Sequence, residues 1–237
     1  MTSAAESRPS RPLARGPLRI AHRGGNTLRR LAEAERWGVD VVELDLWLHR
    51  GRLDVRHSGS LGILPVLREG WALRPGRPGR LQLADALHAA APGTRVMLDL
   101  KGHDSELPAA AIEVMAEHRP GEPYIVSARH WELLAPFRAL PHVLAVYSCG
   151  SADALADALA LARSEGLPAV GANRGNLDPA RVADLREHVP ECFAWAVGSG
   201  RQARELVEWG VTGIISDDFH VLHGLSAGAR QEPRAVG

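Results

Sequence analysis

Short apolar runs recur along the whole chain, each followed by a polar turn and then an amphipathic stretch. The first run, Leu18–His22, predicts a strand. Leu31, Ala34 and Trp37 recur at helical spacing and predict a helix over Leu28–Trp37, with Thr27 as its cap and Gly38 as its stop. A second strand follows at Asp40–Leu46. A turn at Arg50-Gly51 and a return strand at Leu53–His57 complete a hairpin. Residues 58–80 are rich in Gly, Pro and Arg and predict a loop.

The rest of the chain repeats one rhythm. Strands are expected at Thr94–Leu100, Tyr124–Ser127, Val143–Ser148, Ala169–Asn173, Phe193–Val197 and Val211–Ser216. The helices between them are Leu81–Ala90 before the first, then Ser105–His118, Trp131–Leu140, Ala152–Glu165, Pro179–His188 and Arg201–Trp209. Eight βα units with short connections predict a parallel sheet with right-handed crossovers, closed as a (β/α)8 TIM barrel with a small hairpin and loop insertion after strand two. The barrel is expected over 18–225, with a disordered segment over 1–17 and a flexible tail over 226–237.

Composition narrows the class. The length of 237 residues suits one barrel, a fold of typically about 250 residues. Lys and Arg number 28, matched by 28 Asp and Glu, so no global charge argues for nucleic acid or an anionic membrane as partner. No apolar window is long enough for a membrane anchor, and the N-terminus lacks the apolar core of a secretory signal. Cys149 and Cys192 lie in apolar runs and read as buried thiols of a cytoplasmic protein. Nothing in the sequence indicates an oligomeric state.

Charge concentrates where apolar runs end. In a barrel all strand C-termini face one mouth, which gathers His22 and Arg23, Glu43 and Asp45, His57, Asp99 and Lys101, Trp195 and Asp217. Glu43 and Asp45 are two apart and share one side of their strand. With Asp99 they make a carboxylate trio that suits a hard divalent cation, Mg²⁺ or Ca²⁺. Arg23 and Lys101 suit phosphate oxygens. His22 and His57 suit a general acid–base pair, and Trp195 belongs either to the core or to the substrate wall. The set asks for phosphoester cleavage.

These motifs resemble those of the glycerophosphodiester phosphodiesterases: A-H-R-G (21–24), N-T (26–27), E-L-D (43–45), V-x-H (55–57), L-D-L-K (98–101), W-A-V (195–197) and G-I-I-S-D (213–217). The resemblance runs in order from residue 18 to about 222. It implies a barrel with an insertion after strand two. It also implies a cation on Glu43, Asp45 and Asp99, catalysis by His22 and His57, and phosphate held by Arg23 and Lys101. The implied substrate is a small glycerophosphodiester, split into glycerol 3-phosphate and an alcohol. Three positions depart from the family pattern: Gly25 stands in place of a Glu, Ser58 in place of an Asp, and Asp99 in place of a Glu. Asp at this last place is similar to the sphingomyelinase D-type phospholipases. Two alternatives follow: a phospholipase D-like enzyme acting on lysolipids, with Ile63–Leu67 and Trp71–Leu73 as an apolar rim, or a barrel that binds a phosphodiester without cleaving it. The product could also be a cyclic phosphate.

Overall fold

Alternate residues of a barrel strand face the lumen and the surrounding helices, so each strand contributes one row to either side. A computed structural model describes residues 16–60, 66–69, 72–75 and 81–228. Its strands in chain order are β1 (Leu18–Ala21), β2 (Val41–His49), β3 (Arg52–Val55), β4 (Gly59–Ser60), β5 (Val66–Glu69), β6 (Ala72–Pro75), β7 (Val96–Leu100), β8 (Tyr124–Ala128), β9 (Val143–Cys149), β10 (Ala169–Asn173), β11 (Glu191–Trp195) and β12 (Gly213–Ser216). Eight of them close a parallel ring in the order β1-β2-β7-β8-β9-β10-β11-β12. Closure is made at β1, which pairs Ile20 with Val41 on one side and with Ile215 on the other. The (β/α)8 barrel expected from the rhythm is the fold observed.

Helices α1 (Leu28–Arg36), α2 (Leu83–Ala89), α3 (Leu107–His118), α4 (Ala152–Glu165), α5 (Pro179–His188), α6 (Gly200–Trp209) and α7 (Phe219–Gly228) accompany the ring. Their starts follow the sequence. The side chains of Thr27, Ser151, Asp178 and Ser199 accept the N–H three residues on, satisfying donors that a helix start leaves open. Two apolar layers result. Inside the ring, Ile20, Val41, Met97, Ile125, Val146, Phe193 and Ile215 fill the lumen. Outside it, a larger cluster including Leu31, Leu44, Leu98, Leu134 and Leu185 joins strands to helices. Gly213 has a packing reason, since a Cβ there would stand 2.4 Å from the Phe193 ring.

Several elements differ from expectation. β2 runs three residues beyond Leu46, because its outer half pairs antiparallel with β3, from Leu46 opposite Val55 to His49 opposite Arg52. Residues 58–80, expected as a loop, contain an antiparallel three-stranded sheet, β4-β5-β6. Strand seven is shifted two residues toward the N-terminus: Ala196 takes φ 60°, which breaks the strand after Trp195. Trp131–Ala139 is a 3₁₀ helix rather than an α-helix, with Pro136 removing a backbone donor at its centre. Helix α7 reaches Gly228, into the stretch expected as tail. Residues 1–15 and 229–237, and half of the proposed apolar rim (63–65 and 71), lie outside the described residues. Among the described residues no helix is long and apolar enough to cross a membrane.

Candidate active site

The inward rows change character toward the C-terminal ends of the strands. On β2 the row is Val41, Glu43, Asp45; on β7 it is Met97, Asp99, Lys101; on β8 it is Ile125, Ser127, Arg129. Register sets Asp45 beside Asp99 and Asp99 beside Ser127. One carboxylate oxygen each from Glu43, Asp45 and Asp99 lies within 4.8 Å of the others. Ser127 Oγ donates to Asp99 Oδ1 at 2.7 Å.

Three buried or half-buried acids at this spacing repel one another and need positive charge. Lys101 supplies part of it: its Nζ lies 2.7 Å from Asp45 Oδ1 and pairs with Asp99 Oδ2. Burial alone would lower the Lys101 pKa, but the charges of Asp99, Asp45 and Glu43 raise it above the ordinary value. Burial works on Asp45 in the opposite sense and is outweighed by the hydrogen bond with His57 and the charge of Lys101, so this carboxyl is held below its usual range. Glu43 bears the remaining repulsion. Burial first, then the charges of Asp45 and Asp99, push its carboxyl well above the ordinary value. The trio thus favours the protonated form of Glu43, a preference that a bound cation would oppose. Hard oxygen donors of this number fit a divalent cation, and this donor set accommodates one.

The turn after β1 fixes these acids. Arg23 has φ 52°, a left-handed backbone that aims its N–H at Glu43 Oε2. Asn26 grips Asp45 twice: its Nδ2 donates to Asp45 Oδ2 at 2.6 Å, and its Oδ1 accepts the Asp45 N–H at 2.9 Å. Gly25 takes part by having no side chain, since a Cβ would lie 2.4 Å from Leu44 Cγ.

The histidines are wired differently. Arg23 Nη2 donates to His57 Nε2 at 2.7 Å, which places the His57 proton on Nδ1, 3.3 Å from Asp45 Oδ2. His22 Nδ1 donates to Asp217 Oδ1 at 3.0 Å. The hydrogen bond from His22, aided by the charges of His22, Arg23 and Arg30, lowers the Asp217 carboxyl below its ordinary value. Arg30 Nη2 also holds the Asp217 carbonyl at 2.9 Å.

Of the residues singled out from sequence, His22, Arg23, Glu43, His57, Asp99, Lys101 and Trp195 all line one cavity of about 190 Å³. Asp45 is fully buried against Lys101, His57 and Arg23. A wider, shallow cleft of about 570 Å³ shares Arg23, His57 and Asp217 with this cavity and adds Asn26, Arg30 and Arg56. Trp195 both packs against the lumen cluster and walls the cavity. Asn26, Ser127 and Asp217 had no assigned role from sequence. The i+2 spacing from Ile125 marks Ser127 as inward, and G-I-I-S-D marks Asp217, but the double grip of Asn26 depends on a turn that no spacing reveals. Among the described residues, His103, His130 and Glu132 also cluster at metal-ligand spacing, mostly exposed.

The model of the glycerophosphoryl diester phosphodiesterase family matches residues 96–221, more than half of the chain. No curated protein matches. Similar solved structures include an Oleispira antarctica phosphodiesterase in complex with the product sn-glycerol-3-phosphate (22% identity, 89% of this chain and 97% of that one, TM-score 0.71). A glycerophosphodiester phosphodiesterase from Parabacteroides distasonis is 20% identical over 91% of this chain and 100% of that one, with a TM-score of 0.70. One from Thermotoga maritima is 18% identical over 86% and 96%, with a TM-score of 0.64.

Proposed function

Because the chain belongs to the glycerophosphoryl diester phosphodiesterase family, we propose that it hydrolyses glycerophosphodiesters to glycerol 3-phosphate and an alcohol, with His57 as general base and His22 as general acid. The observation that carries this assignment is the opposite wiring of two imidazoles that line one cavity. His57, protonated on Nδ1 toward Asp45, presents a lone pair at Nε2. His22, its Nδ1–H engaged by Asp217, leaves Nε2 as the nitrogen that delivers a proton to the leaving group.

Arg23 Nε is buried and has no hydrogen-bond acceptor among the described residues. Such a donor next to Lys101 suits a phosphate oxygen. As the phosphate enters, Arg23 turns from His57 to the phosphate oxygens. His57 Nε2 then takes the proton of the attacking oxygen: water gives glycerol 3-phosphate directly, whereas the glycerol 2-hydroxyl gives a cyclic phosphate that a water must then open. The new P–O bond forms as the bond to the alcohol breaks, and His22 protonates the leaving oxygen. Glu43, Asp45 and Asp99 would hold Mg²⁺ or Ca²⁺, which when bound stabilises charge on the phosphoryl group. The two cysteines are free and buried, and burial pushes both thiols up to about 12, which makes them inert packing residues; we read the chain as cytoplasmic.

The test is release of glycerol 3-phosphate from glycerophosphocholine, glycerophosphoethanolamine and a lysophospholipid, each with Mg²⁺, Ca²⁺ or chelator. We expect metal-dependent turnover of the first two. His57→Ala and His22→Ala should each lower kcat by about a hundredfold to ten-thousandfold. Turnover of the lysophospholipid alone would overturn the substrate assignment, and undiminished turnover by His57→Ala would overturn the general base.

A further inference from the structure

Two cations of the cavity are committed. Arg23 meets His57 and Asp45, and Lys101 meets Asp45 and Asp99. The third, Arg129, is not. It lines the same cavity yet makes no hydrogen bond or ion pair among the described residues. Its place in the barrel shows what it faces. Arg129 follows β8 on the inward row above Ser127, so Lys101 is its neighbour in register. The guanidinium does not lean toward Lys101. It lies against Gly150 at the end of β9, where a Cβ would stand 3.6 Å from its Cζ, and over the Trp195 ring of β11, with Cζ 5.3 Å from the centroid. It therefore extends along the wall away from the side of the ring that carries the histidines and carboxylates.

Two further properties of this wall point the same way. The Trp195 indole N–H is buried with no acceptor among the described residues, so the wall holds a second donor without a partner. In addition, a face of Trp195 that a substrate ammonium could have used is covered by Arg129.

Building on the phosphodiesterase reading, we propose that Arg129 and Trp195 form a subsite for a second oxyanion of the substrate, a carboxylate or phosphate carried by the alcohol. The chain then prefers diesters of anionic alcohols to those of purely cationic ones. A guanidinium binds such a group through paired, charge-assisted hydrogen bonds, and repels an ammonium brought to the same place.

Glycerophosphoserine and glycerophosphoethanolamine isolate this effect, because they differ by one carboxylate. The measurement is the ratio of their kcat/KM values with Mg²⁺. We expect the wild type to favour the serine diester about tenfold or more, mainly through KM. Arg129→Gln should bring the ratio near unity, and Arg129→Glu should invert it. A wild-type ratio near one overturns the subsite. So does an Arg129→Gln loss equal for both substrates, which would place Arg129 on the reacting phosphate. Silence on both diesters overturns the phosphodiesterase reading instead. Calorimetric binding of the two intact diesters to wild type and Arg129→Gln then decides the subsite: a serine preference that Arg129→Gln abolishes supports it, and equal affinities overturn it.

Discussion

A residue with a side chain pays for a left-handed backbone by about 1–2 kcal/mol. Arg23 carries that strain at φ 52°. The conformation turns its N–H onto Glu43 while its side chain reaches His57, so one residue serves two parts of the site. Asn26, three positions on, does the corresponding work for Asp45 through two hydrogen bonds. A group that orients a ligating carboxylate is worth about ten- to a hundredfold in metal affinity. Asn26→Ala should therefore weaken Ca²⁺ or Mn²⁺ binding by that factor in titration calorimetry, with the fold kept by circular dichroism. Unchanged affinity would show that Asp45 needs no such grip.

At the scale of elements, the turn between β1 and α1 is shaped by what it packs on. Leu44 faces outward from β2, and its side chain occupies the space where a Gly25 side chain would grow. Gly25→Ala should cost about 1–3 kcal/mol through overpacking. At this chain length that is a fall in Tm of about 2–4 °C per kcal/mol, readable by calorimetry. The three carboxylates converge without an acid at position 25, so its departure from the family pattern leaves the trio whole. The barrel strands were legible because their cores are apolar and their ends are charged. Their limits were less so. The extension of β2 depends on a partner, β3, and the end of β11 depends on one left-handed alanine. The sheet within 58–80 was hidden because Gly, Pro and Arg carry no alternation to read. The carboxylates and histidines were legible as types at strand ends. Their wiring was not, since which imidazole faces Asp45 and which faces Asp217 is decided by contacts across the ring.

The whole molecule stores the trio's repulsion as a pH-dependent cost. Glu43 titrates well above its ordinary value when folded, so between 4.5 and that raised value the folded chain binds more protons than the unfolded one. Its contribution is fully present at lower pH and is lost as pH rises. Asp45 and Asp217 act oppositely: both are held low, so their contributions are present above 3.8 and lost as pH falls. With chelator, Tm should accordingly decline as pH rises above 4.5 and Glu43 is forced to ionise. Mg²⁺ or Ca²⁺ should remove most of that decline and raise Tm, by about 2.7 kcal/mol of stability at a hundred times Kd. A chelated protein whose Tm instead rises with pH above 4.5 would show that Glu43 is already compensated.

The closure of the ring at β1 has a further meaning for a chain made from one end. Two hydrogen-bond partners of His57, Arg23 and Asp45, leave the ribosome before it does. The carboxylate beside His22 is emitted 195 residues later, after the last strand of the ring. A chain that ends before β12 therefore lacks the carboxylate that holds the histidine proposed above as proton donor.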